Sequence, residues 1–400
     1  MKFAFESSMT GMPWGGSEEL WCRAAQRLAE AGHRISVNSK WWPTVPARLL
    51  ELERLGARLW QRDRRSAPAW LGPLVGAVRA IRPAEADGER WLDRERPDLV
   101  HVSLAIHVDP IRCAAGCRRR GIPYAVLVQC ASSHHQLHPS LLDAARENYA
   151  SAEKVWVVSD ENRRKIETLL GMRLMNVEQV DNPSAVSRET APTWPTTDEL
   201  SLACVGRIHF ASKGQDLLVD VLGRPKWRSR PLSVVLYGQD QGNRRQLEGL
   251  IAAERLERTI RLGGYVDDPM TIWSRHHGLL LPSRFEGAAI AVVEAMMAHR
   301  PVISTDVGRN RELVDEGEAG FIAAAPTADL LDEALERAWA QRDRWRELGL
   351  RAGRDVRERF PVDPIGDHVA RIGRLVGLEP VDDRAERFAS IGSSELPVRT

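Results

Sequence analysis

The stretch LPSRFEGAAIAVVEAMMAHRPVISTDVG, from Leu281 to Gly308, decides the fold prediction. It begins at the end of an apolar run over residues 278–281, which is typical of a buried parallel strand. After a break at Pro282, a run rich in Ala, Ile, Val and Met has helical character and ends near His299. A second short strand follows over residues 302–304. The stretch therefore predicts strand, tight loop, helix and strand, with a glycine and small residues where the helix begins.

The loop and the first helical turn of this stretch suit a diphosphate. Unpaired N–H groups at a helix start carry a partial positive charge, and Gly287, Ala288 and Ala289 leave room for a phosphate group. Glu286 lies in the loop, and Glu294 follows at about 12 Å along the axis of a regular helix. A sugar and a ribose joined by a diphosphate are separated by a comparable distance, so each glutamate could accept hydrogen bonds from one of them. A glutamate that favours the helix dipole and another on a solvated face would explain the same pair.

Composition limits the class of protein. Four hundred residues favour two domains, and a net charge of +1 gives no support for nucleic-acid binding. The five cysteines are scattered and do not predict a disulfide framework. Glu6 stands where a signal peptide would need an apolar core, and no apolar run approaches about 20 residues. We therefore expect a cytoplasmic protein.

Strands alternate with helices in two successive halves, which predicts an α/β protein with two doubly wound domains. We place the first domain at residues 1–187, the second at 188–363, a final helix at 364–378 and a poorly ordered tail at 379–400. Two such domains imply a cleft between the carboxyl ends of their sheets. Residues 41–97 are less regular and rich in Trp and Arg. They could form an acceptor surface or a contact with the inner face of the membrane, or helices packed on the sheet with Arg facing water.

Two cations and two glycines fall in loops that should line this cleft. Arg207 follows the first strand of the second half, and Lys213 comes just before the next helix. They could clamp a diphosphate or could be two surface cations. Gly15 and Gly16 follow the first strand of the chain but do not form a G-x-G-x-x-G fingerprint, and a loop that needs positive φ explains them equally well.

Taken together, these residues resemble the retaining glycosyltransferases of family 4. The resemblance is strongest between Cys204 and Gly320, in the segments GRIHFASKGQDLL, YGQDQG, GGYVDD, LLLPSRFEGAAIAVVEAMMAHRPVISTDVG and ELVDEGEAG. It is looser in the first half, through GGSE, AEAGHR and VWVVSDENRRK. The resemblance implies the GT-B fold, in which two Rossmann-like domains face each other and a C-terminal helix crosses back to the first.

The resemblance also implies a role for each matching position. Glu286 would bind hydroxyls of the donor sugar, Glu294 would bind the ribose, and Arg207 and Lys213 would stabilise the leaving diphosphate. The donor set is completed by the small residues of the helix start, by backbone that reads the base, and by glycines close to the phosphates: Gly287, Ala288, Ala289, Ile290, Tyr265, Val266, Gly238 and Gly16.

The chain departs from the family pattern at several positions. Gln129 stands where family members often have a sugar-contacting His, and an amide cannot act as a general base near neutral pH. His134 and His135 are the nearest imidazoles and could be ordinary loop residues or acceptor contacts. Trp14 could stack on an acceptor or pack in the core. The family's usual Gly-Phe-Gly-Leu is Gly-Ala-Ala-Ile over residues 287–290, which keeps the space but loses an aromatic ring.

The implied chemistry is transfer of a hexose-type sugar from a UDP, GDP or ADP sugar, with front-face attack and without a cofactor or catalytic metal. Asp267 and Asp268 are not in a metal-binding D-x-D setting. The acceptor hydroxyl, on a glycan, a lipid or a small natural product, is not readable from the sequence. A nucleotide-sugar epimerase of the same fold is the alternative, and it would need acid–base groups around the sugar. A non-catalytic nucleotide-sugar binder is a third hypothesis.

Overall fold

The computed structural model describes residues 1–62, 85–197 and 199–378. Part of the Trp- and Arg-rich segment 41–97 lies outside these ranges, namely the end of its Arg-rich run (Arg58 to Arg65) after Arg62 and its apolar stretch Trp70 to Val78, and so does the expected tail at 379–400. No helix among the described residues is both long and apolar enough to span a bilayer.

Seven parallel strands form the first sheet, in the order β3-β2-β1-β4-β5-β6-β7. Their bounds are β1 (Lys2–Ser7), β2 (Arg34–Lys40), β3 (Arg58–Arg62), β4 (Leu99–Leu104), β5 (Tyr124–Val128), β6 (Lys154–Val157) and β7 (Val177–Gln179). The described helices of this half are α1 (Glu19–Glu30), α2 (Ala47–Arg54), α3 (Glu85–Glu95), α4 (Ala114–Arg120), α5 (Leu142–Ala150) and α6 (Asp160–Leu170).

Six parallel strands form the second sheet, in the order β10-β9-β8-β11-β12-β13. They are β8 (Leu200–Val205), β9 (Leu232–Tyr237), β10 (Ile260–Gly264), β11 (Gly278–Leu281), β12 (Val302–Thr305) and β13 (Gly320–Ala323). Between and after them lie α7 (Phe210–Lys213), α8 (Gln215–Leu222), α9 (Pro225–Arg228), α10 (Arg244–Ala253), α11 (Pro269–Trp273), α12 (Ile290–Met297), α13 (Asn310–Leu313), α14 (Ala328–Ala340), α15 (Trp345–Arg359) and α16 (Pro364–Arg374).

Both faces of each sheet are buried, which explains why the central strands read as continuous apolar runs. In β5, Tyr124, Val126 and Val128 face one core cluster, whereas Ala125 and Leu127 face another. Strand β9 divides its residues between two clusters of the second half in the same way. Parallel strands covered by helices on both sides have no solvent face to mark with polar residues. The predicted class, two doubly wound α/β domains, is confirmed.

The final helix, α16, packs on the first domain. Ile365 and Ile372 are buried in the core cluster that contains residues of β1 and α1. Arg371 donates to Glu178 at 2.9 Å, and the Nε2 atoms of His368 and His101 are 2.9 Å apart. The predicted crossing of the C-terminal helix back to the first domain is therefore present.

The sequence also predicts that Ser17 caps the first helix and that residues 327–360 are helical throughout, and both predictions were wrong. Ser17 does not cap α1, because Gly16–Glu18 form a 3-10 turn without a side-chain cap before the helix begins. The region 327–360 is two helices, α14 and α15, separated by a 3-10 turn at Arg342–Arg344. The chain turns there because Trp345 is buried in the second core and donates its indole N–H to the carbonyl of Ala338 at 2.8 Å.

Strand β3 was not predicted. Its sequence, RLWQR, is short and flanked by arginines, so it has no apolar periodicity that would indicate a strand. It forms because its backbone pairs with β2 over residues 36–40, at the edge of the sheet.

Candidate functional site

Glu286 is held by two side chains at the carboxyl end of β11. Its Oε1 accepts hydrogen bonds from Lys213 Nζ at 2.5 Å and from Ser283 Oγ at 2.7 Å. The carboxylate side chain is only 11% exposed and that of Lys213 only 16%. Removal of either partner of so shielded an ion pair would leave the other charge without compensation. The structure therefore joins two residues that lie 73 positions apart in the chain.

Close backbone packing fixes the position of Lys213. Gly214 has φ of +63°, and a Cβ there would lie 2.2 Å from the carbonyl oxygen of Pro282. The methylene stem of Lys213 lies against Gly206, since a Cβ on Gly206 would meet Lys213 Cδ at 3.3 Å. Gly238, with φ of +146°, approaches the carbonyl of Gly206 in turn. Gly238 therefore packs against the backbone of Gly206, and Gly206 in turn lies against the side chain of Lys213.

Gly287 lies directly against the first domain. A Cβ at this position would be 1.7 Å from the carbonyl oxygen of Gln129, at the end of β5. Ala288 packs against the core cluster of the first half, and a Cβ on Gly16 would be 3.0 Å from Ile290 Cδ1. The cleft is therefore closed around the start of α12, and the predicted residues Gly16, Gly287, Ala288 and Ile290 meet there.

The amides that begin α12 are available to a ligand. In the part of the chain that the structure describes, the backbone N–H groups of residues 287–290 donate no hydrogen bond. The helix itself begins at Ile290, three residues later than the run of small residues suggested. These amides directly follow Glu286 in the chain, and Lys213 reaches Glu286 from the end of α7. Several unpaired N–H groups beside a lysine form a site that suits an anion such as a diphosphate.

Arg207 reaches the cleft but is turned toward a loop of the first domain. Its Nη1 donates to Gln241 Oε1 at 2.6 Å and to the thioether sulfur of Met12 at 3.3 Å. Met12 also accepts from Gln241 Nε2 at 3.5 Å. The guanidinium therefore links the loop after β1 to the loop after β9. To contact a diphosphate it would exchange these neutral partners for a charged one.

Glu294 lies in α12 and is buried instead of solvated. Burial raises the pKa of its carboxyl group to about 7, and a hydrogen bond from the backbone N–H of Ala185 opposes that rise. Ala185 belongs to the segment that connects the two sheets. This burial excludes the alternative that Glu294 lies on a solvated face of the helix. The carboxyl group is surrounded mainly by apolar residues of the second domain.

Gln129 uses its side chain within the protein. Its Nε2 donates to Asn182 Oδ1 at 3.2 Å and its Oε1 accepts from Asn182 Nδ2 at 2.8 Å, and both residues are buried. A direct contact between this amide and a sugar would require that pair to separate. The backbone carbonyl, and not the side chain, is the part of Gln129 that meets the second domain.

The residues predicted to contact acceptor or base fall in different surroundings. Trp14 donates its indole N–H to Glu19 Oε1 at 2.8 Å and packs on Trp21, with ring centroids 6.2 Å apart. His134 and His135 both contact the ring of Phe285, at centroid distances of 5.9 Å and 5.6 Å. Tyr265 is exposed and Val266 is half-buried. The structure thus places both histidines at the cleft, next to Phe285, the residue that precedes Glu286. Trp14 instead packs against the core of the first domain.

Two further residues at the cleft, Ser283 and Met12, could not be recognised from the sequence as parts of the site. Ser283 and Met12 are small or apolar residues in loops, and only their contacts with Glu286 and Arg207 mark them. A second interdomain contact pairs Arg309 with Asp181, and Glu312 accepts from the N–H of Asp160 at 2.9 Å. No single-residue pattern could have paired positions more than 120 residues apart.

No metal site is evident in residues 1–62, 85–197 and 199–378. Within them, no three His, Cys, Asp or Glu side chains form a group that could hold a metal ion.

Two facing parallel sheets with a cleft at their carboxyl ends and a returning C-terminal helix define a GT-B protein of the glycosyltransferase class. Two family models match the chain: "Glycosyl transferase 4-like domain" over residues 15–183 and "Glycosyl transferases group 1" over residues 199–341. Between them they cover most of the sequence. The chain belongs to this family of glycosyltransferases, as its motifs predicted.

Individual relatives are more distant. The chain is 27% identical over 176 residues to alpha-D-kanosaminyltransferase of Streptomyces kanamyceticus. The aligned region covers 44% of this chain and 45% of that relative. It is also 27% identical over 226 residues to phosphatidyl-myo-inositol mannosyltransferase of Mycobacterium tuberculosis, and this alignment covers 55% of this chain and 58% of that relative. The matched region is thus about half the length of these relatives.

Solved structures show the same fold over nearly the whole chain. HepE of Anabaena, crystallised in complex with UDP, has a TM-score of 0.71 at 17% identity, with 93% of this chain and 99% of that one covered. The apo lipopolysaccharide outer core galactosyltransferase WaaB has a TM-score of 0.67 at 18% identity, with 93% and 99% covered. At these identities the likeness establishes the fold.

Proposed function

We propose that this protein is a retaining glycosyltransferase that moves a hexose-type sugar from a nucleotide diphosphate sugar to a hydroxyl group of an acceptor. The observation that carries the proposal is the Lys213–Glu286 ion pair beside the unpaired amides of residues 287–290. A sugar diphosphate needs hydrogen-bond acceptors at its hydroxyls and cationic or amide donors at its phosphates, and this loop supplies both. The relatives support the donor class, since HepE of Anabaena was crystallised with UDP and with UDP-glucose.

The leaving diphosphate would be stabilised by charge that the chain itself provides. Lys213, at the end of α7, reaches the loop after β11 that leads to the amides of Ala289 and Ile290, and Arg207 lies at the cleft with only neutral partners. Positive groups aimed at the departing oxygens lower the barrier most where water is excluded. We therefore propose a metal-independent reaction, with no cofactor besides the donor.

Transfer would proceed on one face of the sugar. The acceptor oxygen bonds to the anomeric carbon as the bond from that carbon to the diphosphate oxygen breaks, and the electron pair leaves on the diphosphate. The same diphosphate oxygen takes the proton of the acceptor hydroxyl, which gives a glycoside and a nucleoside diphosphate. Lys213 and Ser283 both donate to Oε1 of Glu286 and hold its carboxylate in place. Glu286 would therefore accept hydrogen bonds from the sugar hydroxyls with its other oxygen, Oε2. The chemistry is then mainly positioning.

Glu294 would receive the ribose at the other end of the donor. Its carboxyl extends from α12 to the connecting segment, where the N–H of Ala185 already donates to it and a ribose hydroxyl would be a second partner. Tyr265 and Val266 remain the proposed neighbours of the base. No observation favours the epimerase alternative.

The proposal can be tested with three variants and a donor panel. We expect Glu286→Gln and Lys213→Met to remain folded and to lose transfer by about 100-fold or more, in line with the loss of one charge-stabilising group. Glu257→Gln, an exposed carboxylate of the same domain, is the control and should transfer at the wild-type rate. UDP, GDP and ADP sugars are screened by thermal shift, since a ligand that binds the native state raises Tm.

The products then decide the reaction class. The anomeric configuration of the product, read by NMR, should match that of the donor. Incubation with donor alone should return the same sugar unchanged at C2. Wild-type turnover in both Glu286→Gln and Lys213→Met, or an epimerised donor sugar, would contradict the proposal.

A further inference from the structure

The loop that carries Glu286 is in close contact with a turn of its own domain. Gly308, shortly after β12, has φ of +60°, and a Cβ there would lie 2.5 Å from the carbonyl oxygen of Gly287 and 2.8 Å from that of Glu286. A real Cβ is not found closer than about 3.0 Å to such atoms. Gly308 can therefore approach this backbone only because it has no side chain. The positions of the turn and of the Glu286 backbone thus depend on each other.

The first domain binds the same turn. Glu161, in the first helical turn of α6, accepts a hydrogen bond from the N–H of Gly308 with its Oε2. Its other oxygen, Oε1, lies 2.7 Å from Lys165 Nζ, one helical turn later. The carboxylate of Glu161 is therefore held at both oxygens. Its bond to Gly308 is charge-assisted, and such bonds are stronger than those between neutral groups.

Residue 309 extends this contact between the domains. Arg309 forms an ion pair with Asp181, shortly after β7, and their side chains are only 12% and 19% exposed. Exposed ion pairs contribute little, but a shielded pair leaves an uncompensated charge when either partner is removed. Asn182, the next residue, is bonded to the side chain of Gln129, whose carbonyl lies against Gly287. This ion pair is thus also connected to the loop after β11.

Glu312 binds the first domain from α13. Its Oε1 accepts from the N–H of Asp160 at 2.9 Å, and its Oε2 accepts from Gln179 Nε2 at 3.1 Å. Asp160 is the first residue of α6, so the carboxylate of Glu312 lies at the positive end of that helix dipole. Each domain therefore supplies a carboxylate to a backbone N–H group of the other. These reciprocal bonds exist only while the cleft is closed.

Two sets of contacts therefore act on Glu286. Lys213 and Ser283, which belong to the same domain, hold its carboxylate. Its backbone is held by Gly308, and Gly308 is bound in turn by Glu161 of the first domain. The side chain and the backbone of this residue are thus fixed from different domains.

We propose that Glu161 and Asp181 are positioning residues for Glu286. By binding the turn of residues 308–309 across the cleft, they hold the backbone of the sugar-binding loop in place only while the cleft is closed. Closure of the domains then completes the site for the donor sugar. The inference rests on the proposed function, because it takes the role of Glu286 to be binding of that sugar.

The test is a double-mutant cycle in the full chain. Glu161→Gln and Asp181→Asn keep the shape of each side chain and remove its charge, and each is made alone and together with Glu286→Gln. Glu167→Gln in α6 is the first control, because Glu167 also accepts from an arginine and from a backbone N–H group. Asp315→Asn is the second, because Asp315 is the carboxylate of another ion pair. Both control carboxylates bind partners of their own domain.

Turnover is measured as nucleoside diphosphate released from UDP-glucose, UDP-galactose, GDP-mannose and ADP-glucose. Water and methyl α-D-mannopyranoside are offered as acceptors. The donor that the wild type uses fastest is kept for all variants, and Tm is recorded for each protein. The cycles with Glu161→Gln and Asp181→Asn are read independently, so either one decides the question if the other variant does not fold.

We expect Glu161→Gln and Asp181→Asn each to lower kcat/KM about tenfold or more, since a bond to a charged group contributes enough for such a factor. In the Glu286→Gln background the same substitutions should lower it by less than about twofold further, because a residue that acts through Glu286 then has nothing left to position. A purely structural role would instead give losses that multiply. Both controls should keep the wild-type rate.

The failures of the two proposals are distinguishable. Losses that multiply in the double variants, wild-type turnover in both single variants, or an equal loss in the controls would overturn this inference while the proposed function stands. Wild-type turnover in Glu286→Gln, or no release of nucleoside diphosphate by the wild type from any of the four donors, would instead contradict the proposed function.

Discussion

Substitution of Gly287 by alanine should separate the two domains. The added Cβ would lie 1.7 Å from the carbonyl oxygen of Gln129, and a real Cβ is not found closer than about 3.0 Å to such an atom. One of the two backbones must therefore move by more than 1 Å. The obstacle is a main-chain carbonyl at the end of β5, so no side-chain rotation can relieve it.

The cheapest relief is to open the cleft. Overpacking a tight contact costs typically 1–3 kcal/mol, and a backbone-to-backbone collision belongs at the upper end. If the closed arrangement loses about 3 kcal/mol relative to the open one, the ratio of closed to open molecules falls about 100-fold. Transfer that requires the closed cleft should slow by up to the same factor, while each domain keeps its own core.

The assay combines turnover, small-angle scattering and thermal unfolding. For Gly287→Ala we expect kcat/KM to fall by up to about 100-fold, the radius of gyration to rise, and Tm to change little. Gly249→Ala is the matched control, because a Cβ there meets nothing within 4 Å on the exposed side of α10. That control should keep the wild-type rate and gain up to about 1 kcal/mol of stability.

Two results would refute this reasoning. Wild-type turnover and an unchanged radius of gyration in Gly287→Ala would mean that the two backbones are not in contact when the enzyme works. Global unfolding of the variant would mean that Gly287 stabilises a domain rather than the closed cleft.

The other predictions concern pH. Since burial raises the pKa of Glu294 to about 7, its carboxylate is progressively protonated as the pH falls from 8 to 6. If the ionised form binds the ribose, the Kd for UDP should rise about tenfold over that interval, and Glu294→Gln should remove most of the change in a calorimetric titration. Equal pH dependence in the two proteins would rule out that role. Burial also lowers the pKa of His101 to about 3, from 6.5, and lowers that of His368. Because both fold in the neutral form, their stabilisation is complete above pH 6.5 and is lost as the pH falls toward the folded-state pKa. For His101 the loss at pH 5 is about 2 kcal/mol. His101→Gln should unfold with a visibly flatter dependence on pH between 6.5 and 5 in urea titrations, and a slope identical to that of the wild type would contradict the assignment.

Much of the scaffold could be predicted from local sequence. The apolar run before Pro282, the small residues after it and the strand at Val302 each carry their own pattern, and β11, α12 and β12 are found there. Glu286 and Lys213 could be picked out as candidates for the same reason. Their direct bond could not, because it depends on how the loops after β8 and β11 pack together. Strand β3 was missed because only its neighbour β2 specifies it.

The sequence by itself determined the alternation of strands and helices, the family and the loops in which polar residues gather. These are properties of short segments, where periodicity and glycine placement act within a few residues. Only the tertiary structure decided that the carbonyl of Gln129 meets Gly287, that Trp14 packs on Trp21, and that Glu294 is buried near Ala185. The contacts of Gly287 and Glu294 join segments more than 100 residues apart, and that of Trp14 depends on how the loop after β1 folds back on α1. In each case the packing of whole sheets and helices fixes the neighbours, and no local pattern records it.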